Sequence, residues 1–185
     1  MTQLTGDCSK DEIIKTYTKT YTIREIQPQD NPVIQHIVKT VLAEFGCQGP
    51  GWASGDPELN DMFSTYRHSN ASYQVVVDVQ TGDVLGGGGF AQLKGTSSEE
   101  GLCELQKLYF LPQARGLGAG KVLLRQLIEG ARDAGYKAMY LESIPQLESA
   151  VALYEKLGFQ KRDCHLGNTG HQQNCNVYMT LQLVP

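Results

Sequence analysis

The amino-acid sequence predicts a mixed α/β (α+β) fold, a single domain of seven strands and about four helices. Three observations carry that prediction. Segments with period-two apolar alternation recur along the chain, interleaved with segments of helical periodicity. One such strand runs into a helix pattern through Leu108 to Lys121, LYFLPQARGLGAGK, with a break at Pro112 and a glycine-rich turn. The 185 residues are 41% hydrophobic with a formal net charge of −4, enough for one substantial core and few enough for one domain.

Taken in order, residues 1–16 are polar and are expected to form an N-terminal arm, with the domain occupying 17–185. Tyr17 to Arg24 is β-branched and aromatic, a first strand. After a turn at Pro28 to Asn31, Val33, Ile34, Ile37, Val38, Val41, Leu42 and Phe45 recur at helical spacing, with Gly46 as the stop. Gln48 to Pro57 is a loop carrying Trp52. Asp56, Pro57 and Glu58 read as an N-cap with proline at the first helical position, opening a short helix to about Arg67. Tyr73 to Val79 and Val84 to Leu93 are strands joined by a turn at Thr81-Gly82-Asp83. Gly86 to Gly89 within the second suggest a bulge or a close backbone approach, and no chemistry.

Leu102 to Phe110 is the fourth strand. Cys103 and Leu105 alternate onto one face, but Leu108 falls out of phase, and a bulge near Gln106 and Lys107 reconciles the pattern. A helix from Gly116 to about Ala134 buries Leu117, Leu124, Leu127, Ile128 and Ala131 and ends at Gly135. Ala138 to Glu142 is the fifth strand, and Glu148 to Leu157 an amphipathic helix ended by Gly158. Phe159 opens a short strand. Val177, Met179, Leu181 and Leu183 alternate in the last one.

The turn after the fourth strand has the physics of an anion cradle. Glycine lets a ligand approach the backbone, and the free amides and dipole of a helix start attract phosphate. Arg115 and Lys121 add positive charge. A P-loop does not fit, because three residues separate Gly116 from Gly120-Lys121 and Val122 follows where a magnesium-binding hydroxyl is needed. A dinucleotide fingerprint does not fit either, because Gly116, Gly118 and Gly120 are spaced by two and lie past mid-chain.

Gln113-Ala114-Arg115-Gly116-Leu117-Gly118 matches the pattern Gln/Arg-x-x-Gly-x-Gly/Ala, and Ala150, Leu153, Tyr154, Gly158 and Phe159 match Ala-x-x-Leu-Tyr-x-x-x-Gly-Phe. With these two signatures in order, the chain resembles the GNAT superfamily of N-acetyltransferases. The resemblance implies a central, mostly antiparallel seven-stranded sheet splayed between its fourth and fifth strands. It implies acetyl-CoA as co-substrate. The pantetheine arm would pair with Leu108, Tyr109 and Phe110 as a false strand. The pyrophosphate would rest on Gln113, Arg115 and the backbone of Gly116, Leu117, Gly118, Ala119, Gly120 and Lys121. The acetyl group would pass directly to a primary amine of a small molecule or peptide. The loop around Trp52 and its short helix would overhang that acceptor, with packing an equal role for Trp52. Pairing through edge strands in the family leaves a homodimer open.

Acetyl transfer needs a base for the amine, polarisation of the carbonyl and an acid for the departing thiolate. Tyr154 holds the tyrosine position of the second signature, where the family places a phenol facing the sulfur. Two carboxylates compete for the base, Glu104 in the fourth strand and Glu142 at the end of the fifth. Glu104 is preferred because the buried alternation around it makes an idle charge harder to explain. The plain alternative pairs Glu104 with Lys107 and Glu142 with Lys137. Many family members carry Asn where this chain has Leu147. Gln146 or Ser149 could stand in, or Ser143 and Gln146 could form a capping box.

Composition limits other functions. An isoelectric point of 5.5 argues against a nucleic-acid surface. Five scattered cysteines do not suggest a disulfide framework, and no apolar run approaches the ~20 residues of a membrane span. The expectation is a cytoplasmic protein without a membrane partner. Cys164, His165, His171 and Cys175 lack the paired spacing of a zinc site, so no metal is expected, and His171 is a candidate substrate or proton-relay residue. The rival reading is a non-catalytic acyl-CoA sensor on the same scaffold. A nucleotide-binding domain is a third.

Overall fold

The computed structural model of the protein describes residues 21–184. The expected arm, 1–16, and residues 17–20 of the expected first strand lie outside the described residues. Seven strands form one sheet: β1 (Tyr21–Glu25), β2 (Ser72–Asp78), β3 (Val84–Gln92), β4 (Leu102–Phe110), β5 (Ala138–Ser143), β6 (Gln160–Arg162) and β7 (Val177–Gln182), in the spatial order β1-β2-β3-β4-β5-β7-β6. Every neighbouring pair is antiparallel except β4 and β5, which run parallel. Four α-helices accompany the sheet: α1 (Asn31–Glu44), α2 (Met62–Thr65), α3 (Ala119–Asp133) and α4 (Glu148–Lys156).

Period-two strands with apolar residues on both faces need cover on both sides. One core lies where α3 and α4 bury Leu123, Leu124, Leu127 and Tyr154 against Phe90, Cys103, Leu105 and Met139. The other lies where α1 buries Ile34, Ile37, Val38, Val41 and Leu42 against Tyr66, Tyr73, Val75 and Val77.

The fourth and fifth strands pair only at their beginnings, Leu102 with Ala138, Cys103 with Met139 and Glu104 with Tyr140. Beyond that they part, which leaves the later β4 backbone without a neighbour on this side. On its other side β4 stays paired with β3, through a register shift between Gly87 and Gly89. The bulge falls where the sequence phase requires it. Lys107 has φ 51°, the one positive φ outside glycine among the described residues. Its effect is directional. Glu104, Gln106, Lys107 and Tyr109 all reach a cavity on the α1 side, whereas Leu108 and Phe110 pack on the α3 side.

The four glycines of β3 are a packing device. A Cβ on Gly87 or Gly89 would stand 2.8 or 2.6 Å from the Tyr73 ring, and one on Gly86 or Gly88 would stand 2.5 Å from Phe110 or Leu108. The missing side chains let Tyr73 lie across the strand, where its hydroxyl donates to the Lys107 carbonyl at 3.1 Å. That bond occupies a carbonyl at the bulge.

Three expectations need correction. The helix expected from Asp56 to Arg67 is two pieces, a single 3₁₀ turn at Pro57–Asn60 and α2, broken at Asp61, whose own side chain caps α2. Asp56 gives no side-chain cap because its carboxylate is engaged elsewhere. The helix expected from Gly116 begins at Ala119, and Leu117 is a half-buried turn residue between two glycines of positive φ. Ser143 ends β5 and is buried, and α4 starts without a side-chain cap, so the Ser143–Gln146 capping box is absent.

Candidate active site

The site has two halves on either side of the opening between β4 and β5. The first is the turn before α3. Gly116 and Gly118 have φ 77° and 78°, and a Cβ at either would meet nothing within 4 Å. The backbone here is bare and open. Arg115 closes a turn onto Pro112, and the first α3 bonds run from Lys121 and Val122 to Gly118. Among the described residues, the five amides from Gly116 to Gly120 have no acceptor. Five consecutive free donors at the start of a 15-residue helix form a ready anion site. The side chain of Arg115 is tied aside, to Glu44 at 2.8 Å and to the Phe110 carbonyl at 3.1 Å. Gln113 and Lys121 are exposed.

The second half is the cavity beneath α1 and the loops, with about 70 Å³ of space. That is several times the ~10–15 Å³ one water needs. Leu42, Trp52, Tyr109, Ile144 and Leu147 supply apolar wall, and Asp56, Lys94, Glu104, Lys107, Glu142 and His171 supply charge. Glu104 is only 6% exposed and sits at the last paired position before the strands part. Burial raises its pKa. The Gln106 amide, Lys107 and His171 pull the other way, Glu142 adds to the rise, and the net direction is up. The Gln106 amide donates to Glu104 at 2.7 Å, and the Tyr66 hydroxyl donates to the Gln106 carbonyl oxygen at 2.6 Å.

Glu142 faces Glu104 across the opening. It accepts from the Tyr140 hydroxyl at 2.8 Å and the Thr169 hydroxyl at 2.9 Å. Neither carboxylate has the lysine partner that a passive role would give it. Lys107 pairs with Asp56 at 2.7 Å, and Lys137 donates to the Glu99 carbonyl. Tyr154 projects from α4, packed on Phe159 with ring centroids 5.8 Å apart. Its phenol is raised by burial alone. The Tyr109 phenol is raised by burial first, with Tyr154 close enough to add to the shift.

Comparison with known proteins accords with this geometry. A family model described as acetyltransferase (GNAT) family matches residues 37–159. The chain belongs to the GNAT acetyltransferase family. It is 43% identical over 162 residues, 87% of this chain and 94% of the other, to uncharacterized N-acetyltransferase YjgM of Escherichia coli (strain K12). A GNAT acetyltransferase from Staphylococcus aureus Mu50 superposes with a TM-score of 0.77 at 18% identity, covering 89% of this chain and 100% of that one. The yncA protein of Salmonella typhimurium, solved with its cofactor acetyl-CoA, superposes with a TM-score of 0.70 at 22% identity, covering 90% and 95%. As a GNAT member the protein is an acyltransferase. Among the described residues no helix is long and apolar enough to cross a membrane.

The GNAT scaffold explains which site residues sequence reasoning finds and which it misses. Glu104, Glu142 and Tyr109 come together at the cavity, and the glycine turn lies at the other end of the same opening. Trp52 lines the cavity and packs on the α1 core. His171 lies in the cavity wall, with Nε2 3.0 Å from Asp56. Asp56, Gln106, Lys107, Tyr66 and Thr169 were missed. Their partners lie 27 to 115 positions away in the chain, apart from Gln106–Glu104. One signal was available, since a bulge turns two successive residues to one face.

Proposed function

We propose that this protein is an acetyl-CoA-dependent N-acetyltransferase that moves the acetyl group directly to a primary amine of a small molecule or peptide. The observation that carries the reading is the place of Glu104. It is a buried carboxylate of raised pKa, set where β4 and β5 part and lining the cavity. The likeness to a structure holding acetyl-CoA supports the co-substrate.

Acetyl-CoA supplies an activated acetyl as a thioester. The amides of Gly116 to Gly120 hold its diphosphate, with Arg115 and Lys121 supplying charge. The edge of Leu108, Tyr109 and Phe110 that β5 leaves unpaired takes up the pantetheine arm. Glu104 takes a proton from the acceptor ammonium through a water in the cavity, and its raised pKa brings it nearer the working pH of a general base. Tyr154, kept protonated by burial, gives its proton to the departing thiolate. Glu142, held by Tyr140 and Thr169, orients the amine.

A sensor module would have no use for a carboxylate that costs stability where it stands. Thiol release from acetyl-CoA in the presence of an amine panel tests the proposal. Turnover is expected with at least one amine, and Tyr154→Phe is expected to lower kcat by about 10²–10⁴. Coenzyme binding without turnover on any amine would favour the sensor.

A further inference from the structure

The cavity holds charges of both signs. Its carboxylates at the fork, Glu104 and Glu142, come from β4 and β5. Its basic groups are Lys107 at the β4 bulge, Lys94 after β3 and His171 from the loop between β6 and β7. Lys94 is neutralised by Glu58. Lys107 and His171 share one counter-ion, Asp56, with Lys107 Nζ 2.7 Å from Oδ2 and His171 Nε2 3.0 Å from Oδ1.

That sharing ties two basic groups to one carboxylate. Asp56 raises the pKa of His171 by its hydrogen bond, against the opposing effect of burial, so the imidazole holds its proton more tightly. The Lys107 side chain is only 7% exposed, and its ammonium has three donors but a single acceptor among the described residues. A buried ammonium with unfilled donors seeks further acceptors. The backbone gives a second indication. Glycine or asparagine would adopt the φ of 51° more cheaply than lysine, and strained positions of this kind cluster where side chains serve ligands.

We propose that Lys107 and His171 form a subsite for a carboxylate carried by the acceptor. The acceptor is then an amino acid or a similar amine with a carboxylate close by. Its amino group points to Glu104 and Glu142, and its carboxylate to Lys107 and His171. The proposal rests on the N-acetyltransferase reading and narrows it. A polyamine would set a second ammonium against that of Lys107. The apolar wall of Leu42, Trp52, Ile144 and Leu147 suits an apolar or aromatic side chain on the acceptor.

Matched acceptors test the subsite: leucine, leucinamide and isoamylamine; phenylalanine, phenylalaninamide and phenethylamine; and putrescine. Wild-type protein is expected to use the free amino acid of at least one set with kcat/KM about tenfold or more above its amide, the worth of a charged hydrogen bond. Lys107→Met is expected to bring that ratio to near unity, chiefly through KM for the amino acid, while its thermal unfolding reports whether it is folded. His171→Gln gives a second reading should Lys107→Met fail to fold. Amides, plain amines or putrescine used as well as the amino acids by wild-type protein would overturn the subsite and leave the N-acetyltransferase reading intact. Absence of both coenzyme binding and thiol release with every amine would remove that reading, and the subsite with it.

Discussion

At the scale of single residues, the proposed chemistry turns on what burial does to Glu104. A raised pKa means that the folded protein holds this proton more tightly than the unfolded chain. The stabilisation is therefore complete below the ordinary glutamate value of 4.5 and is lost as pH rises through the raised one. Near pH 8 the ionised carboxylate is a cost to the fold. Glu104→Gln should thus unfold at a higher temperature than wild type at about pH 8, with the gap closing below pH ~4.5, while kcat falls by about 10²–10⁴. Paired melting and turnover curves across pH check this, and equal melting at both ends would show that Glu104 carries no raised pKa. The acidic limb of kcat/KM should likewise lie above 4.5, as a pH–rate profile would show. The residue type was legible in the sequence, as a charge amid buried alternation. Its choice over Glu142 rested on that alternation alone, and the bonds of Gln106 and Tyr66 to the site were invisible.

At the scale of elements, β3, β4 and the turn before α3 work as one device. Glycine in β3 makes room for Tyr73, Tyr73 takes up the carbonyl of the bulge, and the bulge turns Lys107 and Tyr109 into the cavity. Gly89→Ala would place a Cβ 2.5 Å from the Ser72 carbonyl oxygen and 2.6 Å from Tyr73. It should cost about 1–3 kcal/mol in chemical denaturation, because backbone must move. The glycine run read as a close approach in the sequence, but what approached it did not. Gly118 differs. It faces open space with φ 78°, so Gly118→Ala should cost about 1–2 kcal/mol for its backbone alone and weaken coenzyme binding in calorimetry. The α3 start was misjudged by three residues, because helical periodicity runs through Leu117 whereas positive φ at Gly116 and Gly118 does not permit helix there.

At the scale of the whole molecule, the parting of β4 and β5 opens the sheet between the turn of free amides before α3 and the cavity lined by Glu104 and Glu142. A ligand spanning both would tie α3 to the sheet. Coenzyme at a hundredfold its Kd should add about 2.7 kcal/mol to stability, which for a chain of this size raises the unfolding temperature by about 5–10 °C. A melting scan with and without acetyl-CoA reads this directly, and no shift at saturating coenzyme would contradict the binding assigned to the turn.

The sequence by itself determined the elements, the two signatures and the phase break that demands a bulge. Periodicity, glycine tolerance and the free amides of a helix start are local properties that neighbouring residues settle among themselves. Only the tertiary structure decided that Asp56 serves Lys107 and His171 rather than a helix cap, that Tyr66 and Gln106 lead to Glu104, and that Lys107 and His171 share one cavity with Glu104 and Glu142. Those contacts join distant segments, and a side chain's choice between a local bond and a remote one depends on burial and distance that no linear pattern contains.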